Sequence, residues 1–95
     1  MWNSLYAPGE IGSENGEIVA DEEYKNACRI TLEKCQKYYA ITCGIYGAFF
    51  HTAFSDADHC QETYEAMKKD LQKFIDKDTS YDEEHDFYEE FTSKY

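Results

Sequence analysis

Two hydrophobic periods follow one another along this chain. Between Cys28 and Lys34, Cys28, Ile30 and Leu32 alternate with Arg29, Thr31 and Glu33; between Tyr38 and Ile45, Tyr39, Ile41, Cys43 and Ile45 alternate with Tyr38, Ala40, Thr42 and Gly44. A period of two lays one set of side chains on a single face of a half-buried strand. Beyond Cys60 the period lengthens: Cys60, Tyr64, Met67, Leu71, Phe74 and Ile75 recur at helical spacing, with Glu62, Glu65, Lys68, Lys69 and Asp70 turned away. Strands followed by helix predict an α+β fold, not the alternation of an α/β chain.

The remaining elements are read by the same rules. Residues 17–24 read as a first strand and residues 48–54, rich in Phe and Thr, as a fourth. A rival helix over 21–36 would place Tyr24, Cys28, Thr31 and Cys35 on one face; the strand is the preferred reading. Gly44 and Gly47 allow a bulge or a positive-φ turn between the last two strands. Lys37 is the only formal charge from 36 to 55, so this hairpin is expected at the centre of the sheet. Ser55 and Asp58 have the spacing of a capping box for the long helix, and Ser80 and Glu83 repeat it for a shorter one. Phe87, Tyr88, Phe91 and Tyr95 mark the apolar side of that second helix. The expected architecture is a small antiparallel meander of three or four strands. One long amphipathic helix packs on it, and a short acidic helix ends the chain.

Ninety-five residues suffice for one domain. Sixteen aromatic residues (nine Tyr, six Phe and one Trp) set the chain apart from disordered sequences and let few residues build a core. Residues 1–16 hold Pro8, Gly9, Gly12 and Gly16 among Asn and Ser, a loop-like composition. They are expected as a loosely ordered acidic arm, pinned by Trp2, Leu5 and Tyr6, with residues 17–95 as the single α+β domain.

The net charge of −11 lies at the two ends. Residues 1–23 contain six acids and no Lys or Arg, and residues 76–95 contain eight acids against Lys77 and Lys94, while residues 24–75 are almost balanced. A field of this sign repels nucleic acid and anionic membrane and attracts basic proteins. With Arg29 as the only Arg and no Gly-rich phosphate loop, direct nucleic-acid binding is not expected. No stretch is long and apolar enough for a spanning helix, and no secretion signal is expected from residues that lack a basic region, a long apolar run and a small-residue cleavage site. A cytoplasmic protein is expected, with Cys28, Cys35, Cys43 and Cys60 reduced.

No motif for chemistry stands out. The cysteines are separated by six, seven and sixteen residues, without the close pair that structural zinc uses. The runs Asp21–Glu23 and Asp82–Asp86 lack the alternate acids and central Gly of a calcium loop. No metal, cofactor or catalytic residue is therefore assigned. What remains is the interleaving of aromatics with acids between Tyr81 and Phe91. Tyr81, Phe87, Tyr88 and Phe91 read as interface anchors, and Asp82, Glu83, Glu84, Asp86, Glu89 and Glu90 as steering charges for a basic protein partner. In size and charge the chain resembles small antagonists: toxin-immunity proteins, which cover the basic face of a nuclease, and viral DNA-mimic inhibitors. The resemblance implies a non-enzymatic, acidic protein-binding inhibitor. Two alternatives stand beside it. One is an enzyme or ligand binder with a pocket between sheet and helix, lined by Tyr39, Cys43, His51 and Tyr64. The other is an oligomer that buries its aromatics against itself.

Overall fold

The computed structural model describes residues 1–77 and 81–95, the side chains of Tyr81 and Asp82 excepted. Five strands, β1 (Trp2–Ser4), β2 (Glu17–Tyr24), β3 (Cys28–Lys34), β4 (Tyr39–Ile45) and β5 (Phe49–Ser55), form one antiparallel meander in the order β1-β2-β3-β4-β5. Two helices follow, α1 (Cys60–Asp76) and α2 (Tyr81–Lys94). The fold is α+β, with one more strand than expected, because Trp2–Ser4 pairs with Glu22–Tyr24. The β2 and β3 strands replace the rival helix over 21–36. They meet at a turn where Lys25 and Asn26 both take positive φ and the Ala27 amide donates to the Tyr24 carbonyl. Positive φ at both central residues matches the twist of a tight hairpin. Gly47 supplies the positive φ of the β4–β5 turn.

Register sorts the side chains of the sheet into two faces. Tyr24, Cys28, Ile30, Leu32, Ile41, Cys43 and Ala53 share one face, and α1 lays Cys60, Tyr64, Met67 and Leu71 on it. Met67 and Leu71 are wholly buried. Burying each such side chain is worth about 1.5–3 kcal/mol. Toward β1 and β2 the contacts become polar. The Tyr64 hydroxyl donates to Glu22 at 2.7 Å, Lys68 pairs with Glu22 at 2.8 Å, and the Tyr24 hydroxyl donates to Asp76 at 2.7 Å. The Trp2 indole N–H reaches Gln72 at 3.0 Å.

The entry to α1 differs from the expected box. Ser55 closes β5, and His59 occupies the N-cap without a side-chain cap bond. The Asp56 carboxylate instead accepts the His59 amide at 2.8 Å, and the Asp56 carbonyl accepts the Cys60 amide at 3.0 Å. A carboxylate accepting a backbone N–H two or three residues on is a turn-forming device that competes with the Ser cap. The Ser80 cap expected for α2 lies outside the described residues.

Residues 1–16, expected as a loosely ordered arm, run against the sheet. The Leu5 amide bonds the Asp21 carbonyl, the Gly12 amide bonds the Gly16 carbonyl, and the Ile18 amide bonds the Glu10 carbonyl. The Glu14 amide donates to the Glu33 carboxylate at 3.1 Å. Glu33 is thereby 1% exposed although it points away from the helices.

The expectation of a central β4–β5 hairpin is also corrected. β5 ends the sheet and pairs with β4 alone. Its lack of charge is accounted for on one face only, where α1 and α2 cover Phe49, His51 and Ala53.

Candidate functional site

A helix of period 3.6 separates residues that alternate in sequence, and α2 shows the result. Its aromatics turn inward. Phe87 stacks on Phe74 of α1 with ring centroids 4.2 Å apart, and Tyr88 stacks on Phe49 of β5 at 4.6 Å. Phe91 meets Phe49 edge-on at 5.7 Å and is 2% exposed. The C-terminal turn is tied down by Asp70, which accepts from the Tyr95 hydroxyl at 2.6 Å and from Lys94 at 3.0 Å. Three of the four aromatics read as partner anchors therefore hold α2 to its own scaffold; Tyr81 lies outside the described side chains.

The acids divide between the outer side, with Asp86 and Glu89, and the flank beside α1, with Glu83 and Glu90. Glu83, Asp86, Glu89 and Glu90 are exposed, and Glu84 is half-buried. Positions 83 and 90 share the i, i+7 spacing of one helix face, and 86 and 89 the i, i+3 spacing of another. Glu83 pairs with Lys77 at 3.0 Å, and His85 lies 3.9 Å from Glu89. Among the described residues no Lys or Arg pairs with Asp86, Glu89 or Glu90. The partial burial of Tyr88, and then the Glu84 charge, raise its pKa.

The acids of the N-terminal third are differently placed. Asp21 is 1% exposed and accepts both nitrogens of an Arg29 fork, with Thr31 as a third donor. Glu22 is held by Tyr64 and Lys68, and Glu23 accepts the Tyr46 hydroxyl. These three charges serve internal contacts, while Glu10 and Glu17 remain exposed, as the acids on the outer side of α2 do.

Two concavities accompany the acidic face. One, of about 380 Å³, lies between α1 and α2 over Phe74, Phe87 and Phe91, where Lys73, Lys77 and Lys94 share the rim with Glu83 and Glu90. The other, of about 520 Å³, lies on the sheet face away from the helices, where Arg29, Thr31, Thr42, Tyr46 and Phe50 line it. Its arginine is committed to Asp21. The alternative pocket between sheet and α1 is occupied by core side chains: Tyr64, Met67 and Leu71 fill it. Cys43 and His51 do face each other across β4 and β5. Burial pushes the Cys43 thiol up to about 12, however, and His51 Nε2 is buried without a hydrogen-bond partner. A thiol nucleophile needs a lowered pKa or an engaged base, and this pair has neither. Among the described residues no three His, Cys, Asp or Glu side chains come together as a metal cage, and no helix is long and apolar enough to cross a membrane.

The chain matches no family model, and no curated protein or solved structure proves similar to it.

Proposed function

We propose that this chain is a non-enzymatic, acidic protein-binding module that covers a basic surface of a partner protein, in the manner of an immunity-type antagonist. One observation carries the reading: α2 is locked to the scaffold through Phe87, Tyr88 and Phe91 while Asp86 and Glu89 project from its outer side and Glu90 flanks the groove to α1. A rigidly held row of carboxylates needs no ordering when a basic surface arrives, which lowers the entropic cost of binding. Such charges act mainly on the association rate and on partner choice. The four cysteines are all free, which fits a cytoplasmic, reducing setting for the module.

The test compares the wild-type chain with a doubly charge-reversed variant, Asp86→Lys with Glu89→Lys, as baits in the native extract. Capture is run at about 50 mM and about 300 mM salt, which brackets the ~10 Å screening length of 0.1 M. Basic proteins held by the wild-type chain at low salt, released at high salt and not held by the variant support the reading. Equal capture by the variant sinks it.

A further inference from the structure

The molecule leaves one surface that the acidic face does not explain. β5 is the last strand of the sheet, seven residues long, without Lys, Arg, Asp, Glu or Pro, and in unbroken register with β4. Sheet edges are normally blunted by short strands, charges, proline or bulges. The other edge, β1, has only three residues. On the face away from the helices, β5 also displays Phe50 at 70% exposure and Phe54 at 61%, with Tyr38 packed edge-on against Phe54 at 5.3 Å.

We propose that β5 is a self-pairing seam. A second copy of this chain adds its own β5 antiparallel to the first, about a twofold axis at Thr52, so that the two sheets join into one. The strand is built for that operation. Phe50 and Phe54 stand symmetrically about Thr52, so the twofold sets each Phe50 opposite the other copy's Phe54 and Thr52 opposite itself. Self-complementarity of this kind is what a closed, isologous interface requires. Aromatic pairs directly opposite across antiparallel strands are among the favourable cross-strand contacts. The choice of occupant follows from charge. A basic partner finds no carboxylate on β5, whereas a second copy brings an equally charge-free strand.

The size of the seam sets its strength. From the ~200 Å² of a Phe side chain, the exposed parts of the four rings supply about 500 Å² of apolar burial. That is below the ~1,200 Å² of a standard interface, so the dimer is weak and depends on concentration. Each copy also carries −11, and this repulsion falls as salt rises. Dimerisation therefore strengthens with salt, opposite to capture of a basic partner through α2, and the two readings stand or fall separately.

The experiment is sedimentation equilibrium of the full chain from about 5 μM to about 500 μM, a span chosen for a weak interface, at low and high salt. The expected result is a rise above the 11.1 kDa monomer mass with concentration, larger at high salt. Two single variants at exposed positions, Phe50→Lys and Phe54→Glu, each shift the equilibrium at least tenfold toward monomer. Mixing them restores a heterodimer, because the proposed register sets the introduced ammonium against the introduced carboxylate. Hydrogen exchange of the wild-type chain adds a reading that needs no variant: β5 amides slow with concentration while β1 amides do not. A monomer at the highest concentration and salt overturns the proposal. So does a mixture that stays monomeric, or protection that rises at β1 instead.

Discussion

Replacing Phe91 by Ala tests whether α2 is held by its aromatics or merely lies near the sheet. The ring is 2% exposed and touches four others: Phe49 at 5.7 Å, Phe87 at 5.4 Å, Tyr95 at 4.8 Å and His51 at 6.0 Å. Truncation to Ala removes about 150 Å² of apolar burial, worth about 4 kcal/mol at ~25 cal/mol/Å². Phe→Ala substitutions in cores cost about 3–5 kcal/mol. This site is near the outer layer, where Phe87 and Tyr95 can settle into the gap, so the lower end applies and about 3 kcal/mol is expected. A domain of this size has about 5–14 kcal/mol in all, so the variant still folds. Urea denaturation followed by far-UV circular dichroism reads the effect. With a slope of about 1.5 kcal/mol/M, the midpoint falls by about 2 M. A loss below 1 kcal/mol would refute the docking argument. Were Phe91 instead an anchor for a partner, truncation would leave stability intact and abolish capture.

Three further outcomes follow from the same contacts. Asp70 is partly buried, which raises its pKa, but the hydrogen bonds from Tyr95 and Lys94 outweigh this and hold it below the usual carboxylate value. Its contribution is therefore complete above the unfolded value of ~3.9 and disappears as pH falls through the lowered folded value. Asp70→Asn should cost about 1 kcal/mol at pH 6, with the gap to wild type narrowing as pH falls below the unfolded carboxylate value, as measured by urea melts across pH; a gap independent of pH would contradict the assignment. Iodoacetamide at neutral pH should modify the half-exposed Cys35 first. Cys28 and Cys43, raised by burial to about 11 and about 12, should react only as the chain unfolds. Mass spectrometry that finds Cys43 modified early in the folded protein would revive the nucleophile reading. At Gly16 an added Cβ would lie 2.9 Å from the Lys34 carbonyl oxygen and 2.7 Å from Cys35 Sγ. Gly16→Ala should thus destabilise by about 1–3 kcal/mol in thermal or urea melts, and a neutral result would mean that this segment is not packed against β3.

The parts of the fold that were legible in the sequence are those where one side of an element is buried and the other wet. Cys28, Ile30 and Leu32 in β3 and Cys60, Tyr64, Met67 and Leu71 in α1 announce their elements because periodicity records a one-sided environment. Residues 1–16 were not legible in that way. Their hold on the sheet is mostly backbone hydrogen bonding, and Glu33 is buried by an amide from Glu14, contacts that leave no apolar pattern. β5 misled for a related reason: its uncharged sequence indicates burial on both faces, yet Phe50 and Phe54 are open. At α2, acids and aromatics are interleaved along the chain, but the helical period sends Asp86 and Glu89 to the side opposite Phe87, Tyr88 and Phe91, with Glu83 and Glu90 beside the groove to α1. The residues of the candidate site were visible, and their division of labour was not.

That division gives the charge asymmetry a physical meaning. The two ends carry similar acidity, but at Asp21, Glu22 and Glu23 the carboxylate has donors around it and spends its field on them, unlike the exposed Glu10 and Glu17. Asp21 meets Arg29 and Thr31, Glu22 meets Lys68 and Tyr64, and Glu23 meets Tyr46. Removing the Glu22 charge leaves the buried Tyr64 hydroxyl unsatisfied, and removing the buried Asp21 charge frees Arg29 and Thr31, so these acids belong to the fold. Asp86, Glu89 and Glu90 have no Lys or Arg pairing with them among the described residues, and their mutual repulsion works against α2. The helix tolerates it because Phe87, Tyr88 and Phe91 bind it to Phe74 and Phe49 through contacts that salt does not screen. Electrostatic cost on the outer side of one helix, offset by aromatic packing on its inner side, is an arrangement that solubility alone does not require. It becomes an advantage when a basic surface relieves the repulsion on binding.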